Sequence, residues 1–294
     1  MRRKIIFVSI IIICSFKALS QDSSLLKMLN DSISEPKELT FTRSTFNGTN
    51  IINLQTVEQP AKNVLQFIIM HRFGKLNDGA YNFFGLDNAT LRLGLDYGIT
   101  SGLSIGIGRS SLDKTFDGSV KIKLLRQSGN GRMPVSVNLF TSIVYPTLKY
   151  SDKPYLTNKL RKIYTTQIIA ARKFNKRLSL ELAPSWIHFN LVPAAVDNND
   201  LFALGMGGRM KVTKRMSVNA EYDYVPSGQF NSTNIYNSFS TGIELETGGH
   251  VFQLIFTNSN GMVEPYYLAK TSGKWRKGDI YFGFNISRVF NLKK

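Results

Sequence analysis

The chain has 294 residues, of which 37 are lysine or arginine and 20 are aspartate or glutamate, so its formal net charge is +17. Hydrophobic residues make up 43% of the chain and aromatic residues 12%, a composition that excludes an intrinsically disordered protein. The sequence has neither the glycine period of collagen nor the heptads of a coiled coil. A positive charge of this size first indicates a nucleic-acid-binding protein.

Residues 1–20 have the composition of a secretory signal peptide. A basic start, a short apolar run and a small-residue cleavage site follow one another as Met1-Arg2-Arg3-Lys4, Ile5 to Ile13 and Ala18-Leu19-Ser20. The apolar run is too short to span a bilayer, which takes about 20 residues. Removing this leader takes away Cys14, the single cysteine, and four basic residues, which lowers the net charge from +17 to +13. We therefore expect an exported protein without disulfides or cysteine-bound metal.

The mature chain is predicted to have two parts. Residues 21–60 form a polar N-terminal segment, which we expect to lie in the periplasm or to act as a plug. Residues 61–294 form a β-barrel domain, because apolar residues recur there at every second position and helical periodicity is absent. This second part contains no run of about 18 apolar residues that would predict a transmembrane helix.

The period of two is clearest between Leu91 and Tyr97, where the leucines and the tyrosine point one way while Arg92, Gly94 and Asp96 point the other. Similar segments, separated by turns rich in Gly, Asn and Ser, are 103–108, 119–124, 135–145, 178–186, 205–210, 216–224, 243–246, 252–256 and 280–286. The pattern predicts about twelve strands in an all-β, antiparallel, up-and-down barrel, because closure removes the exposed edges of a sheet.

One face of this barrel is apolar and the other is polar. A soluble barrel buries its apolar face, whereas a transmembrane barrel turns that face to lipid and keeps a polar lumen. Aromatic residues near strand ends, such as Tyr97, Trp186 and Tyr222, are typical of the girdle at a membrane interface. We therefore predict a transmembrane barrel of the outer membrane, with a soluble secreted β-protein as the alternative. Candidates for an ion-pair network, which either fills the lumen or selects a solute, are Arg92, Asp96, Lys121, Lys123, Arg209, Glu221, Asp223 and Glu244.

Basic residues are concentrated between Lys149 and Arg177, where nine of them accompany one acidic residue, Asp152. In a lipid-facing barrel, such a stretch would contact anionic lipid headgroups or attract anionic solutes. The alternative is an ordinary solvated loop. Because the protein is predicted to leave the cytoplasm, its charge indicates a membrane surface or an anionic solute, and we expect no nucleic-acid partner.

The sequence contains three histidines, His71, His188 and His250, and none has the spacing of a metal or catalytic motif. His71 and His250 are predicted to lie at strand ends, so they are candidates for a site at the barrel rim, although a structural hydrogen bond at a strand end is the simpler explanation. Ser104 to Arg109 contains Gly-x-Gly but no helix is predicted to follow, so it is not a nucleotide-binding loop. We predict no catalytic residues, no metal and no cofactor.

Several short motifs follow one another along the chain. They are Thr45-Phe46-Asn47-Gly48-Thr49, His71-Arg72-Phe73-Gly74, Arg92-Leu93-Gly94-Leu95-Asp96-Tyr97-Gly98, Ile105-Gly106-Ile107-Gly108-Arg109, Gly249-His250-Val251-Phe252-Gln253 and Phe282-Gly283-Phe284-Asn285-Ile286. Together they resemble domain of unknown function 5777 (DUF5777), a Bacteroidetes family of presumed outer-membrane β-barrels, over about residues 45–290. The resemblance implies the fold and the membrane location, and it implies no established activity.

Three functions remain open at this point. The first is an outer-membrane channel or transport component for small, anionic solutes, which the charges on the polar face favour. The second is a structural or interaction barrel that binds other envelope proteins through its loops. The third is a membrane-embedded enzyme that modifies lipid, suggested by the histidines at the predicted rim. We expect the lipids of the outer membrane, including anionic headgroups, to be partners in every case.

Overall fold

The computed structural model of the chain describes residues 41–129, 131–229 and 232–292. The predicted signal peptide and residues 21–40 of the predicted N-terminal segment lie outside these residues. The described strands are β1 (Val64–Lys75), β2 (Ala89–Gly98), β3 (Leu103–Ser110), β4 (Thr115–Leu125), β5 (Ser136–Pro146), β6 (Ile163–Lys173), β7 (Leu178–Phe189), β8 (Asp200–Lys211), β9 (Met216–Tyr224), β10 (Ser238–Thr247), β11 (His250–Thr257) and β12 (Tyr281–Asn291).

These strands form one closed barrel. Each strand pairs antiparallel with its neighbours in the sequence, and β1 closes the barrel by pairing with both β2 and β12. Leu65 in β1, for example, lies opposite Tyr97 in β2 on one side and Phe290 in β12 on the other. The prediction of a closed antiparallel barrel of about twelve strands is confirmed.

The basic stretch from Lys149 to Arg177 is not one loop, so that part of the sequence interpretation was wrong. Strand β6 runs through it, and its nine basic residues therefore lie at opposite ends of the barrel. The sequence pattern does not predict this strand, because its inward side chains include Ile163 and Ile169, which are as apolar as the outward Ile168. With apolar residues on both faces, the period of two disappears from the sequence.

The two ends of the barrel differ in their connections. At one end, here called the short-turn end, the strands are joined by residues 99–102, 126–135, 174–177, 212–215 and 248–249. At the other, here called the long-loop end, the connections are residues 76–88, 111–114, 147–162, 190–199, 225–237 and 258–280. The long-loop end also contains short 3-10 helices at Leu76–Asp78, Ala80–Gly85, Leu112–Lys114 and Trp275–Lys277. Strand β1 begins and strand β12 ends at the short-turn end.

The two faces of the barrel wall have opposite character. Outward positions are apolar and exposed, as shown by Leu254 at 53% exposure. Inward positions are mostly polar and buried, as shown by Glu221 at 1% and Gln167 at 0%. Side chains along a strand alternate between the two faces of the wall. In a strand such as β2, all of the apolar side chains therefore point outward.

Two chain segments fill the lumen. Residues 45–60, here called the plug, enter from the short-turn end immediately before β1, and most of them are buried. Residues 258–273, here called the inward loop, enter from the long-loop end between β11 and β12. The inward loop contains a short helix, α1 (Glu264–Ala269), in which every residue is buried. None of the helices in the described part of the chain is long and apolar enough to cross a membrane.

The hydrophobic core therefore lies inside the barrel. It joins plug residues such as Ile52 and Leu54 with inward-loop residues such as Tyr267 and Leu268, and with inward side chains of the wall such as Ile187. A smaller cluster brings Ile68 and Met70 of β1 against Met262 of the inward loop. Apolar burial thus attaches both segments to the wall of the barrel.

Candidate functional site, a plugged lumen

The tip of the plug is a tight hairpin. The backbone N–H of Ile51 donates to the carbonyl of Leu54 at 2.8 Å, and that of Thr56 donates to the carbonyl of Thr49 at 2.9 Å. Such a turn leaves the N–H groups of Ile52, Asn53 and Leu54 pointing in similar directions without backbone partners. A cluster of this kind is a binding site for an anion.

The carboxylate of Glu221 occupies that anion site. Its oxygens accept from the backbone N–H groups of Ile52, Asn53 and Leu54 at 2.9 to 3.1 Å. Glu221 projects inward from β9 and is 1% exposed, so these charge-assisted hydrogen bonds are shielded from water. One wall side chain therefore satisfies three successive amides of the plug.

The carbonyl oxygens of the plug are bound by amide side chains from around the barrel. The Ile51 carbonyl accepts from Asn219 Nδ2 at 3.2 Å and from Gln253 Nε2 at 2.7 Å. The Ile52 carbonyl accepts from Asn285 Nδ2 at 2.8 Å. Because asparagine and glutamine can donate without carrying charge, they suit a buried main chain.

Lys121 of β4 binds three further plug carbonyls. Its Nζ donates to the carbonyls of Thr49 at 3.4 Å, Thr56 at 3.1 Å and Glu58 at 3.2 Å. A buried ammonium requires several acceptors to offset its desolvation, and the plug backbone supplies them. Three strands further along the barrel, Glu181 of β7 accepts from the Val57 N–H at 3.3 Å.

Side chains of the plug make a second set of contacts. Arg72 Nη2 donates to Asn53 Oδ1 at 2.8 Å. Asn47 donates to Glu244 Oε1 at 2.8 Å and accepts from Arg209. These three contacts extend along the plug, so the plug is held along its length and at its tip.

Two inward glycines make room for the plug. A Cβ at Gly205 would lie 2.6 Å from Leu54 Cδ1, and one at Gly207 would overlap the side chain of Ile51. The small residues on the polar face of β8 therefore leave space for Ile51 and Leu54, two of the apolar side chains at the plug tip.

The plug and the inward loop meet inside the barrel. Gln55 Nε2 donates to Glu264 Oε1 at 3.0 Å, and Ser142 Oγ of β5 donates to the other oxygen of Glu264 at 3.3 Å. Closer to the long-loop end, the Tyr266 hydroxyl donates to Asp113 Oδ2 at 2.7 Å. The inward loop is therefore bound both to the plug and to the wall.

A salt bridge and a set of hydrogen bonds support the outer part of the long-loop end. Lys75 Nζ lies 3.5 Å from Asp279 Oδ1. Hydrogen bonds from the Asn77 side chain and the Lys274 backbone N–H lower the pKa of Asp279. These contacts join the β1–β2 connection to the segment that leads into β12.

A cavity of about 400 Å³ opens beside the plug at the short-turn end. It is bordered by plug residues such as Phe46 and Glu58 and by wall residues such as Gln66, Glu246 and Ser287. The plug therefore fills the lumen more completely at its tip than at its base.

The structure places the eight predicted lumen residues on the inner face, but they do not form the predicted network. Lys121, Arg209, Glu221 and Glu244 bind the plug. Asp223 is buried, and its carboxylate has no hydrogen-bond partner among the described residues. Four of the eight residues therefore hold the plug, whereas Asp223 makes no hydrogen bond to it.

The other three predicted lumen residues belong to strands β2 and β4. Arg92 forms a two-point ion pair with Asp117, with distances of 3.0 Å from Nε to Oδ1 and 2.5 Å from Nη2 to Oδ2. Asp96 lies on the same inner face of β2 as Arg92. Lys123 lies on β4 toward the short-turn end. The partner of Arg92 is therefore Asp117, which the sequence analysis did not propose.

The structure does not bring His71 and His250 together at a rim. His71 lies within β1 instead of at its end, and its ring stacks on Phe284 with centroids 4.9 Å apart. His250 is the first residue of β11, opposite Arg288 of β12, whereas His71 is opposite Phe284. The strand-end position predicted for His71 was wrong, because the apolar residues on both faces of β1 obscured the extent of that strand. In the part of the chain that the structure describes, no group of His, Cys, Asp and Glu is arranged to hold a metal.

Sequence reasoning missed several residues that bind the plug, among them Arg72, Asn138, Glu181, Gln253 and Asn285. Asn138, Glu181, Gln253 and Asn285 occupy inward positions of strands that show the period of two, so that pattern could have placed them in the lumen. Arg72 lies on β1, whose sequence does not show the period. Their shared role, hydrogen bonding to the plug, depends on the position of the plug inside the barrel, which the strand pattern does not specify.

A family model described as a membrane-bound β-barrel domain, DUF5777, matches residues 46–290. The chain belongs to this family. It is accordingly a membrane-bound β-barrel, and its apolar outer face is the surface that contacts lipid. The DUF5777 match begins at the second residue of the plug and ends one residue before the end of β12, so it covers the inward loop and nearly all of the plug and the barrel.

Several solved structures resemble this member of the DUF5777 family. The KdgM porin is 9% identical, with a TM-score of 0.47, over 76% of this chain and 99% of that one. The NanC porin is 7% identical, with a TM-score of 0.48, over 78% and 100%. LpxR from Salmonella typhimurium is 10% identical, with a TM-score of 0.38, over 77% and 99%. No curated protein sequence matches the chain.

Proposed function

We propose that this protein is an outer-membrane channel for small polar solutes and that the plug closes it in the conformation described. The observation that carries the proposal is the way the plug is attached. Residues 61–63 link it to β1 at the short-turn end, and Phe41 bridges to Ser128 in the β4–β5 turn at that same end. Both ends of the plug therefore leave the lumen on one side, and the plug can move out without threading through the barrel.

The chemistry of the lumen supports the same function. The side chains that bind the plug are carboxylates, amides, a lysine and two arginines, all of which water can satisfy once the plug has left. A barrel with a permanently filled lumen would need no such polar groups on its inner wall, because apolar side chains from the strands would pack the same space. The inward loop stays attached to two strands and narrows the long-loop half of the pathway.

Charge in the lumen is divided between two walls. On β1 to β4 the inner face carries Arg72, Arg92 and Lys121 against Asp96 and Asp117, whereas on β7 to β9 it carries Glu181, Glu221 and Asp223 against Arg209. The first wall is therefore net positive and the second net negative. Opposed charges across a narrow pathway create a field perpendicular to it, which orients solutes that carry charge. Basic residues at the short-turn end, including Lys123 and Lys173, favour anions among such solutes.

The short-turn end is assigned to the periplasm, because outer-membrane barrels have short periplasmic turns and longer external loops. Export by the signal peptide predicted at residues 1–20 brings the chain to the periplasm, from which the barrel inserts into the outer membrane. Basic residues of the β5–β6 connection, such as Lys153 and Arg161, then contact phosphates of the outer leaflet.

Planar-bilayer recording of a variant lacking residues 45–58 tests the proposal. We expect the full chain to be closed for most of the recording, and we expect the deletion variant to show steady conductance that small anions carry more readily than cations. Heat-dependent mobility in gel electrophoresis checks that the variant barrel has folded. A folded deletion variant without conductance would contradict the channel and would favour a structural or interaction barrel.

A further inference from the structure

The lipid-facing wall contains a groove of about 730 Å³ on strands β6 to β9. Small side chains form its floor, since Gly208 of β8 lies directly opposite Ala220 of β9. The sides of the groove are formed by larger side chains on the same outward face, among them Leu180, Met206 and Tyr222. The groove has the volume of a small-molecule site and is lined almost entirely by carbon.

Exposed basic residues lie at the short-turn end of this groove. Arg172 lines the groove itself. The β6–β7 turn ends in Lys176-Arg177 and the β8–β9 turn ends in Lys214-Arg215, with no acidic residue in either turn. Among the described residues, none of these five cations forms a salt bridge with a carboxylate. Two adjacent turns thus present unneutralised charge at the depth where lipid headgroups lie.

We propose that the groove binds one anionic phospholipid of the periplasmic leaflet, with an acyl chain over Gly208 and Ala220 and the phosphate at the two Lys-Arg turns. An apolar slot that ends in a cationic cluster matches a molecule with an apolar tail and an anionic head. The assignment of the leaflet rests on the orientation given under the proposed function, whereas the binding itself does not require conductance.

A second copy of the chain fits the groove less well than a lipid. A symmetric dimer places the same patch of each subunit against its counterpart. That arrangement would bring the Lys-Arg turns of both copies together at one membrane depth, and the like charges would repel. A phospholipid supplies the opposite charge and avoids this cost.

Native mass spectrometry of the purified full chain tests the proposal. The protein in detergent is offered equal amounts of phosphatidylglycerol and phosphatidylcholine with identical acyl chains. We expect one bound phosphatidylglycerol to predominate. In the double variant Lys176→Gln with Arg177→Gln, the ratio of bound phosphatidylglycerol to bound phosphatidylcholine should fall about 25-fold, because each cation near an anionic surface contributes roughly fivefold to the affinity.

Filling the groove provides the second arm of the experiment. Ala220→Leu should abolish retention of the lipid, whereas Gly118→Leu should not. Gly118 is a matched control because it is an outward glycine of β4, where an added Cβ would meet Ile143 at an ordinary 3.7 Å. Equal binding of both lipids by the wild type, or retention unchanged in Ala220→Leu, would overturn the proposal. So would a wild-type dimer that Ala220→Leu dissociates, since the occupant would then be a second copy.

Discussion

Replacing Glu221 with glutamine is expected to release the plug and raise conductance. The carboxylate of Glu221 accepts from three successive backbone N–H groups of the plug. Glutamine keeps the size of the side chain, but its amide nitrogen is a donor and would face some of those N–H groups. A buried hydrogen bond to a charged group contributes about 1.5–3 kcal/mol. Loss of two such bonds should therefore shift the closed-to-open equilibrium by about 3 kcal/mol, roughly a hundredfold.

Conductance in planar bilayers and hydrogen exchange at the amides of residues 52–54 measure this shift together. Asp223→Asn is the matched control, because Asp223 lies two residues away on the same inner face of β9, is equally buried and accepts no hydrogen bond from the plug. We expect that control to keep the plug amides protected. If Glu221→Gln and Asp223→Asn behaved alike in both measurements, Glu221 would not be the residue that seats the plug.

Replacing Leu254 with arginine is expected to impair assembly of the barrel in lipid. Leu254 lies near the middle of β11, and its cross-strand neighbours are Ile243 in β10 and Phe284 in β12. An arginine facing lipid at mid-membrane depth costs about 2–4 kcal/mol, whereas one near the interface costs about 0–1 kcal/mol. Unfolding by urea from lipid vesicles measures the difference.

Leu124→Arg is the control for membrane depth. Leu124 is outward and exposed, and it lies next to the end of β4 at the short-turn end. Its substitution should leave stability nearly unchanged. On a water-exposed surface, both substitutions would fall within about 0.5 kcal/mol. Equally small costs at both positions would show that lipid does not cover the outer face.

The fold was predictable wherever one face of a strand is apolar and the other is not. In β2, Leu93 and Leu95 face outward while Arg92 and Asp96 face inward, so the sequence itself displays the alternation. The same reasoning identified the polar face that lines the lumen, because a membrane barrel reverses the usual positions of apolar and polar side chains.

Strands β1 and β6 did not show this alternation, and the reason is physical. Ile68 and Met70 of β1 face inward and pack against Met262 of the inward loop. Ile163 and Ile169 of β6 belong to the core inside the barrel. Where the lumen is filled by apolar segments, the inner face becomes apolar as well, and the period of two no longer appears in the sequence.

The site was predictable only in part. The alternation in β9 placed Glu221 in the lumen, but its partners in the plug are 167 to 169 residues away in the sequence. Strand periodicity specifies the face on which a side chain lies and gives no information about what occupies the space beyond it. For that reason the sequence predicts ion pairs among the charged residues, whereas in the described part of the chain the salt bridge that involves one of them joins Arg92 to Asp117.

A reversible tether between plug and wall tests the central claim most directly. Asn47 and Glu244 are in hydrogen-bond contact, so cysteines at both positions can be joined by a short, reducible bis-methanethiosulfonate linker. The background carries Glu221→Gln to weaken the seat of the plug, and the chain from residue 21 onward has no native cysteine. Single-channel recording should show a closed barrel while the linker is intact and a conducting barrel after the linker is reduced. Equal conductance before and after reduction would contradict closure by the plug.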